Sequence, residues 1–364
     1  MSCQFSVLLR LRRGLTAGVL ATLALCGHAA SAPPRFAVTV VGPLAPEQSF
    51  VGSALNAAGQ VAGTLSETGR QPIAVLWAPG GALRRLGYLP GHGAQSHATA
   101  LNGAGMVVGR SGSAGSGRAF SWTQAGGMVD LGALLPGARA TSAVSVNDAG
   151  QVILQEYAFV NHSAQGSHAW AWTAAAGLAA IEPTFPGLYV SARGSNRLGQ
   201  VTGYAGTPTG WEAFIWTPGS GTQTLGRPAG WYNGTAGNAI NDDGVVVGDS
   251  TVGCCVNAVK WTPQDGWTGL GYIPNFVGYS DAFAINHAGV IVGGSAKGED
   301  AHDVAAIWFP GRKALDLMQF IDPADPLKAS LKLTSAVGIN DAGQILANGT
   351  LDGRAQAVVL TPIE

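Results

Sequence analysis

The segment EDAHD, from Glu299 to Asp303, gathers side chains that can bind a metal ion. Its three carboxylates and the imidazole of His302 are oxygen and nitrogen donors that divalent cations accept. A metal site and a solvated loop both fit this composition, and we favour the solvated loop. A second acidic stretch, NDDG at Asn241, lacks further acidic residues at the spacing of a calcium loop, so we interpret it as a turn.

Residues with the chemistry of a catalytic site are otherwise sparse. His92 and His97 share one predicted loop and could converge on a ligand. The sequence contains no G-x-S-x-G elbow, no H-E-x-x-H motif and no phosphate-binding loop. Its remaining Asp and Glu residues are scattered, so spacing does not identify the paired carboxylates of a glycosidase. From the sequence we therefore assign no catalytic residue, no metal and no cofactor.

Cys254 and Cys255 are adjacent in the segment VGCCVN. Export would place them in an oxidising compartment. Neighbouring Cα atoms lie about 3.8 Å apart, which is shorter than the usual disulfide range, so a bond between them would be strained. We favour a vicinal disulfide that stiffens this segment over two free thiols, and either state is compatible with a purely structural role.

Large aromatic residues recur in segments that are predicted to be loops. Rings of this kind stack on sugars or anchor a protein partner. Our candidate ligand contacts are Tyr88, Tyr189, Trp231, Tyr232, Tyr272 and Phe276. Packing of loops against the fold is the alternative role for the same rings. The elements that carry them must therefore be identified.

A repeated pattern supplies those elements. The motif Asn-x-x-Gly recurs about every 45 to 54 residues. Small residues precede it, and a short alternating run such as GQVAG or GVVVG follows it. Ala-x-x-Trp comes next in six of the copies, and Leu-Gly follows the Trp in most of them. The asparagines of the motif are Asn56, Asn102, Asn147, Asn196, Asn241, Asn286 and Asn340.

Each repeat predicts four short antiparallel strands. Asn-x-x-Gly between two apolar runs is a hairpin turn in which Gly supplies a positive φ. Ala-x-x-Trp forms a third strand with a large buried ring, and the segment ending in Leu-Gly forms a fourth. Four strands in about 45 residues correspond to one blade of a β-propeller. The small residues before the Asn suit the innermost strand, where strands crowd the central channel.

The two ends of the chain predict a closed ring of seven blades. The last copy has three strands and stops before its fourth, while the segment Phe36–Val41 matches a fourth strand. We therefore expect residues 33–364 to form one all-β domain, a seven-bladed β-propeller in which the N-terminal strand completes the last blade. Closure of this kind leaves no sheet edge exposed.

The combined motif resembles the extracellular HAF-repeat family. The resemblance rests on AINDDGVVVG, RAFSWT, EAFIWT and GGMVDLGALLPG, and on Ser167-His168-Ala169-Trp170, which comes closest to the family's His-Ala-Phe signature. It covers nearly the whole chain after the N-terminal segment, and Leu360-Thr361-Pro362 is similar to the family's usual ending. The resemblance implies a secreted bacterial protein of β-propeller type, and it carries over no catalytic residues.

The first 32 residues have the pattern of a secretory signal peptide. Arg10, Arg12 and Arg13 precede an uncharged run from Leu15 to Cys26, and Ala30-Ser31-Ala32 forms an A-x-A cleavage site. The stretch LALC also resembles a lipoprotein box, which would place a lipid anchor on Cys26. We therefore expect an exported protein, periplasmic or extracellular.

Composition limits the partners. The chain has 54 glycines, 11% charged residues and a formal net charge of −1, against about 25% charged residues in ordinary globular proteins. No block of Lys and Arg suits nucleic acid or an anionic membrane surface. No apolar run after the signal segment is long enough to span a bilayer. We expect a monomer.

Two faces of the predicted propeller differ in their loops. The Asn-x-x-Gly turns emerge on one face, here called the turn face. The connections between second and third strands and between blades emerge on the other, the long-loop face. The long-loop face carries the candidate aromatics, an enlarged loop at Gln155–His168 and an insertion at Met318–Leu333. The turn face is short and uniform, so we expect it to offer little specificity.

Three functional hypotheses follow. The first is a non-catalytic binding module that takes a glycan or protein ligand on the long-loop face. The second is a propeller enzyme that acts on extracellular polysaccharide or a small ester. The third is a structural cell-surface protein. An enzyme should gather several acids or histidines at the channel mouth, whereas a binding protein should show aromatic residues there without such a cluster.

Overall fold

An all-β fold is formed by the residues that the computed structural model describes. These are residues 34–160, 163–186, 188–228, 230, 234–252, 255–274, 276, 278–296 and 303–363. Within these ranges there is no α-helix, and the two 3-10 helices are Gly132–Leu134 and Leu317–Phe320. Neither is long or apolar enough to cross a bilayer. The predicted signal peptide and Cys26 lie outside the described residues.

The strands are short, and most contain four to nine residues. In chain order they are β1 (Arg35–Val40), β2 (Gln48–Leu55), β3 (Val61–Glu67), β4 (Ile73–Trp77), β5 (Arg84–Arg85), β6 (Ser96–Leu101), β7 (Val107–Ser111), β8 (Arg118–Thr123), β9 (Gly127–Asp130), β10 (Thr141–Val146), β11 (Val152–Val160), β12 (Ser163–Thr173), β13 (Gly177–Ile181), β14 (Val190–Ser195), β15 (Val201–Thr207), β16 (Gly210–Thr217), β17 (Gly221–Thr224), β18 (Gly234–Ile240), β19 (Val246–Val252), β20 (Cys255–Thr262), β21 (Gly266–Gly269), β22 (Tyr279–Ile285), β23 (Ile291–Ala296), β24 (Val304–Trp308), β25 (Leu315–Asp316), β26 (Leu331–Ile339), β27 (Ile345–Leu351) and β28 (Arg354–Ile363).

Strand pairing follows the repeats. The first group is β2 to β5, and each later group takes the next four strands, up to the sixth group, β22 to β25. Within each of these groups neighbouring strands pair antiparallel in chain order. Single parallel bridges, Trp211↔Gly234 and Val256↔Tyr279, also link the fourth group to the fifth and the fifth to the sixth. The prediction of four antiparallel strands per repeat is therefore confirmed.

The Asn-x-x-Gly motif forms the turn between the first two strands of every group. In each turn the Gly N–H donates to the Asn main-chain oxygen at 3.0 to 3.1 Å. The glycine φ lies between 74° and 80°, a region that other residues enter at a cost. The predicted hairpin turn is confirmed, and its conformation explains why the fourth position is always Gly.

The first strand of each of the first six groups carries a β-bulge. The register shifts three residues before the Asn, as between Ala192 and Gly194 opposite β15. A Cβ on Gly203 of β15 would lie 2.0 Å from the main-chain oxygen of Ser191, so the close approach requires Gly there. Bulges re-aim the side chain that they displace. In the fifth group the bulged residue is Asn238. Its Nδ2 donates to the main-chain oxygen of Ala282 in the next group, at 2.9 Å.

Tryptophan rings fill the space between groups, as the sequence predicts. Trp77, Trp122, Trp216 and Trp308 are buried, whereas Trp172 and Trp261 are half-buried. The indole N–H of Trp308 donates to the oxygen of Leu270 in the preceding group at 3.1 Å. The Trp308 ring therefore adds a directional bond to the apolar contact between groups.

The seventh group joins the two ends of the described chain. Its strand order is β1-β28-β27-β26, and β1 pairs antiparallel with β28 from Arg35↔Ile363 to Val40↔Val358. The predicted pairing of the N-terminal strand with the last strand is confirmed.

The predicted insertion at Met318–Leu333 lies along the free edge of β1. Ile321 forms a parallel bridge with Phe36, and Asp322 N–H donates to the Phe36 oxygen at 2.9 Å. The Asp325 carboxylate accepts the N–H of Val38 at 2.8 Å. The insertion therefore satisfies edge groups that would otherwise be available to another strand.

The predicted loop at Gln155–His168 is a β-hairpin over most of its length. Strands β11 and β12 pair from Val152↔Trp172 to Val160↔Ser163, with one register shift after Glu156. The prediction of an enlarged loop was wrong for most of this segment, because the extra residues continue the antiparallel ladder. The tip, residues 161–162, lies outside the described residues.

Candidate functional site

A cluster of charged and aromatic side chains lies on the inner strands of the fourth, fifth and sixth groups. We call Arg193, Tyr204, Asn238, Asp249 and Asp281 the Arg193 cluster. They stand on β14, β15, β18, β19 and β22, respectively. Asp281 lies near the start of β22, at the end of the strand away from the Asn turn. Arg193 and Asn238 each lie three residues before the Asn of their own turn, so the cluster occupies the middle of the inner strands.

Arg193 holds the cluster together through three contacts. Its guanidinium carbon lies 4.9 Å from the centre of the Tyr204 ring, a cation–π distance. Its Nη1 lies 3.5 Å from Asp249 Oδ1 and donates to Asn238 Oδ1. Because Arg193 is 40% exposed, a ligand in the channel can reach the guanidinium.

The two carboxylates of the cluster titrate abnormally. Burial raises the pKa of Asp281 from 3.8 to about 7, and the Asp249 carboxylate acts in the same direction against Arg193. Burial also raises the pKa of Asp249, opposed by Arg193 and Asn238. Near neutral pH Asp281 is therefore close to the midpoint of its titration and can either accept or donate a hydrogen bond.

Two further tyrosines border the cluster. Tyr189 packs edge-to-face on Tyr204 with ring centres 6.1 Å apart. Burial raises the pKa of Tyr189, and burial together with Asp281 and Asp249 raises that of Tyr279. Both phenols therefore stay neutral and keep a hydroxyl that can donate. Ring faces beside carboxylate, amide and guanidinium groups form a set that can contact a sugar ring and its hydroxyls.

The aromatic residues chosen from the sequence have different surroundings. Tyr189 is the one that the structure places against the Arg193 cluster. Tyr88 is 48% exposed, in the connection between the first and second groups. Tyr272 is half-buried and its hydroxyl donates to Asn257 Oδ1, whereas Phe276 packs against the buried core of the sixth group. Trp231 and Tyr232 lie outside the described residues.

The two histidines of the predicted loop do not share a cavity. His92 lines a cavity of about 380 Å³ on the long-loop face with Gln95, Ser113 and Ser116. His97 is half-buried on β6, where burial and Arg110 lower its pKa. The structure therefore gives no common ligand position for this pair.

The remaining candidates fall partly outside the described residues. In EDAHD, Asp303 is described, and its N–H donates to the Ser295 oxygen at 3.2 Å. Over the described ranges no group of three or more His, Cys, Asp or Glu residues could hold a metal ion. Cys255 begins β20 and Cys254 is not described, so the disulfide stays a prediction.

Sequence reasoning missed a cavity on the turn face. It has a volume of about 250 Å³ and is lined by residues from all the Asn turns. The residue after each Asn forms its rim. When the seven turns are aligned, the residues at this position differ in size and charge: Ala57, Gly103, Asp148, Arg197, Asp242, His287 and Asp341. That variation was the available signal, and it is hidden when each turn is considered separately.

The arrangement of the strands identifies the class of fold. The four-stranded groups, their chain order and the inner position of each first strand are those of a β-propeller. No protein-family model matches the chain, and no curated protein matches it.

The similar solved structures are propeller proteins. Virginiamycin B lyase from Staphylococcus aureus has a TM-score of 0.57 and 12% identity, over 90% of this chain and 99% of that chain. A catalytically inactive form of that lyase with quinupristin gives 0.57 and 12%, over 90% and 100%. A streptogramin B lyase gives 0.54 and 11%, over 90% and 98%. At these identities the likeness shows the fold alone.

Proposed function

We propose that this chain is an exported, non-catalytic binding protein of the HAF-repeat family, a closed seven-bladed β-propeller that binds a glycan at the Arg193 cluster. The repeat motifs support the family, and the N-terminal pattern supports export. Pairing of β1 with β28 and the bond from Asn340 to Asn56 support closure of the ring.

The Arg193 cluster is the observation that carries the binding proposal. A glycan presents a mildly apolar ring face and a set of hydroxyls that both donate and accept. Tyr189 and Tyr204 offer ring surface at a centre-to-centre distance of 6.1 Å. Arg193 donates, and Asp249 and Asp281 accept or donate according to their protonation. Bonds to charged groups are typically about 1.5–3 kcal/mol each, so a few contacts suffice for specific binding.

A propeller enzyme is the second candidate function. The raised pKa of Asp281, about 7, supports it, because a carboxyl group whose pKa lies near the working pH can transfer a proton. A protein ligand at the same cluster is a third candidate, and an array without glycan binding would leave it in place.

Binding should first be measured on a glycan array with the exported form of the protein, and then by calorimetry with the best glycan. Tyr204→Leu and Asp281→Asn should each weaken binding at least tenfold, which is about 1.4 kcal/mol. Tyr88→Leu is the matched control, since Tyr88 is an exposed tyrosine of another group.

Each alternative outcome has a distinct signature. Folded variants with unchanged affinity would place the ligand elsewhere. Release of reducing ends from the bound glycan, lost in Asp281→Asn, would establish the enzyme instead. An array without binding would remove the glycan hypothesis.

A further inference from the structure

The cavity on the turn face has an aliphatic wall. The residue before each Asn faces it, and six of these seven residues are aliphatic: Leu55, Leu101, Val146, Ile240, Ile285 and Ile339. Ser195 is the exception. Deeper in the turns, the buried Asn side chains are engaged in bonds to neighbouring turns. A ligand would therefore meet hydrocarbon in the wall of this cavity of about 250 Å³.

The rim of the same cavity is acidic. Asp148, Asp242 and Asp341 face Arg197 and His287 around it, so the formal charge of the rim is −2 with a neutral histidine. Arg197 Nε lies 2.5 Å from Asp242 Oδ2. The Asp242 carboxylate raises the pKa of Arg197, and Asp341 and Asp148 act in the same direction. The carboxylates of three separate turns thus act on the guanidinium group of Arg197.

The carboxylates are held in place by the main chain of the preceding turn. Asp148 Oδ1 accepts the N–H of Gly103 at 2.7 Å, and Asp341 Oδ1 accepts that of His287 at 2.9 Å. Asp242 Oδ1 accepts the N–H of Arg197 at 2.9 Å. His287 Nδ1 also lies 3.6 Å from Asp243 Oδ2, which adds a further negative group beside the rim. A fixed acidic rim needs no reordering when a cation binds.

We propose that this cavity binds a small organic cation, an ammonium group on a short hydrocarbon body. The hydrocarbon lies against the aliphatic wall, where burial is worth roughly 25 cal/mol per Å² of apolar area. The ammonium group lies at the acidic rim, where the carboxylates of Asp148 and Asp341 attract it. The acidic rim disfavours anions, and the wall disfavours small hydrated metal ions. The residues that line this cavity are different from those of the Arg193 cluster, and the proposal does not depend on the proposed glycan function.

Calorimetry with three six-carbon probes tests the proposal on the whole exported protein. Hexylammonium should bind at least tenfold more tightly than hexanol, and hexanoate more weakly than hexanol. Methylammonium has the same charge without the hydrocarbon chain, so it tests the contribution of the aliphatic wall. It should bind at least tenfold more weakly than hexylammonium. Equal affinity for hexylammonium and hexanoate, or no binding of hexylammonium at millimolar concentration, would overturn the proposal.

A double variant tests the rim. Asp148→Asn with Asp341→Asn keeps an oxygen to accept the two main-chain N–H groups and removes two negative charges, so hexylammonium binding should fall at least tenfold. Asp352→Asn is the matched control, because Asp352 lies in the hairpin between β27 and β28 on the long-loop face. It should leave the affinity within twofold. An unchanged affinity in the double variant, with an unchanged melting temperature, would refute the role of the rim.

Discussion

The side-chain Nδ2 of Asn340 donates to the main-chain oxygen of Asn56 at 3.0 Å, although 284 residues separate them. Each of the six remaining turn asparagines makes the same bond to the Asn of the next turn, at 2.9 to 3.3 Å. Each Asn is buried. In all seven turns its Oδ1 also accepts the N–H four residues on, as Asn147 does from Gln151 at 2.9 Å. One side chain therefore fixes its own turn and ties it to the neighbouring group.

Replacing Asn147 should reveal both roles. Asn147→Ala removes the bonds to Gln151 and Asn196 and leaves buried groups without partners, so we expect a loss of about 2–4 kcal/mol in the free energy of unfolding. Asn147→Asp keeps the acceptor for Gln151 and loses the donor to Asn196. Urea unfolding should therefore rank the wild type above both variants. Leu198→Ala, at a side chain that is 65% exposed, is the control and should change stability little. A wild-type transition in Asn147→Ala would show that the bond between turns is dispensable.

Removal of the N-terminal strand should destabilise the seventh group. A chain that begins after Gly42 leaves β28 without its partner β1 and exposes an unpaired edge, so we expect aggregation. Light scattering during heating measures it. A chain that begins at Arg35 retains β1 and is the control. Equal solubility and heat stability of the two chains would contradict the role of β1 in closure.

The raised pKa of Asp281 predicts a pH dependence of stability. Its value is about 7 in the folded chain against an ordinary 3.8, so the folded state binds more protons between these values. Stability from this group is greatest below about pH 4, falls as the pH rises toward 7, and is level above that. The neighbouring Asp249, whose pKa is also raised, adds a slope of the same sign.

Asp281→Asn should flatten that profile. The neutral amide replaces the protonated acid. The free energy of unfolding of the variant minus that of the wild type should therefore be larger at pH 8 than at pH 5. Urea unfolding at both pH values measures the difference, with Asp352→Asn as the control. Parallel pH profiles for Asp281→Asn and the wild type would mean that Asp281 has an ordinary pKa.

Tyr272 and Phe276 should contribute to stability, because the structure packs them. Phe276 lies against the buried core of the sixth group, so Phe276→Ala should cost about 2 kcal/mol, below the roughly 3–5 kcal/mol of a fully buried Phe. Tyr272→Phe removes the bond to Asn257 and keeps the ring, so it should cost about 1 kcal/mol. Thermal unfolding compares them with Tyr88→Ala, which should be neutral. A loss of ligand binding with unchanged melting would instead make these two residues direct contacts.

The candidate sites show where a single repeat stops being informative. Four strands, the positive φ of the turn glycine and the buried Trp depend on residues within about 45 positions, so the sequence predicts them directly. Tyr189 is a candidate from the sequence because an aromatic ring in a loop can stack on a sugar or anchor a protein partner. Arg193, Asp249 and Asp281 gave no such signal, because each looks like an isolated charge within its own repeat.

The sequence alone determined the all-β class, the four-strand unit, the turn chemistry and the pairing of the first strand with the last. Local backbone preferences and alternating hydrophobicity set the first three features, and both act over a few residues. The pairing of the two ends follows instead from the last repeat, which lacks the fourth strand that the N-terminal segment matches. Only the tertiary structure decided that Arg193 meets Tyr204, Asn238 and Asp249, and that seven different turns enclose one cavity. Those contacts join residues of separate repeats, and their positions follow from the bulge in each inner strand and the packing between neighbouring groups. The electrostatics of Asp281 depend on the same arrangement, because burial and a second carboxylate 32 positions away in sequence raise its pKa only when the groups are packed together.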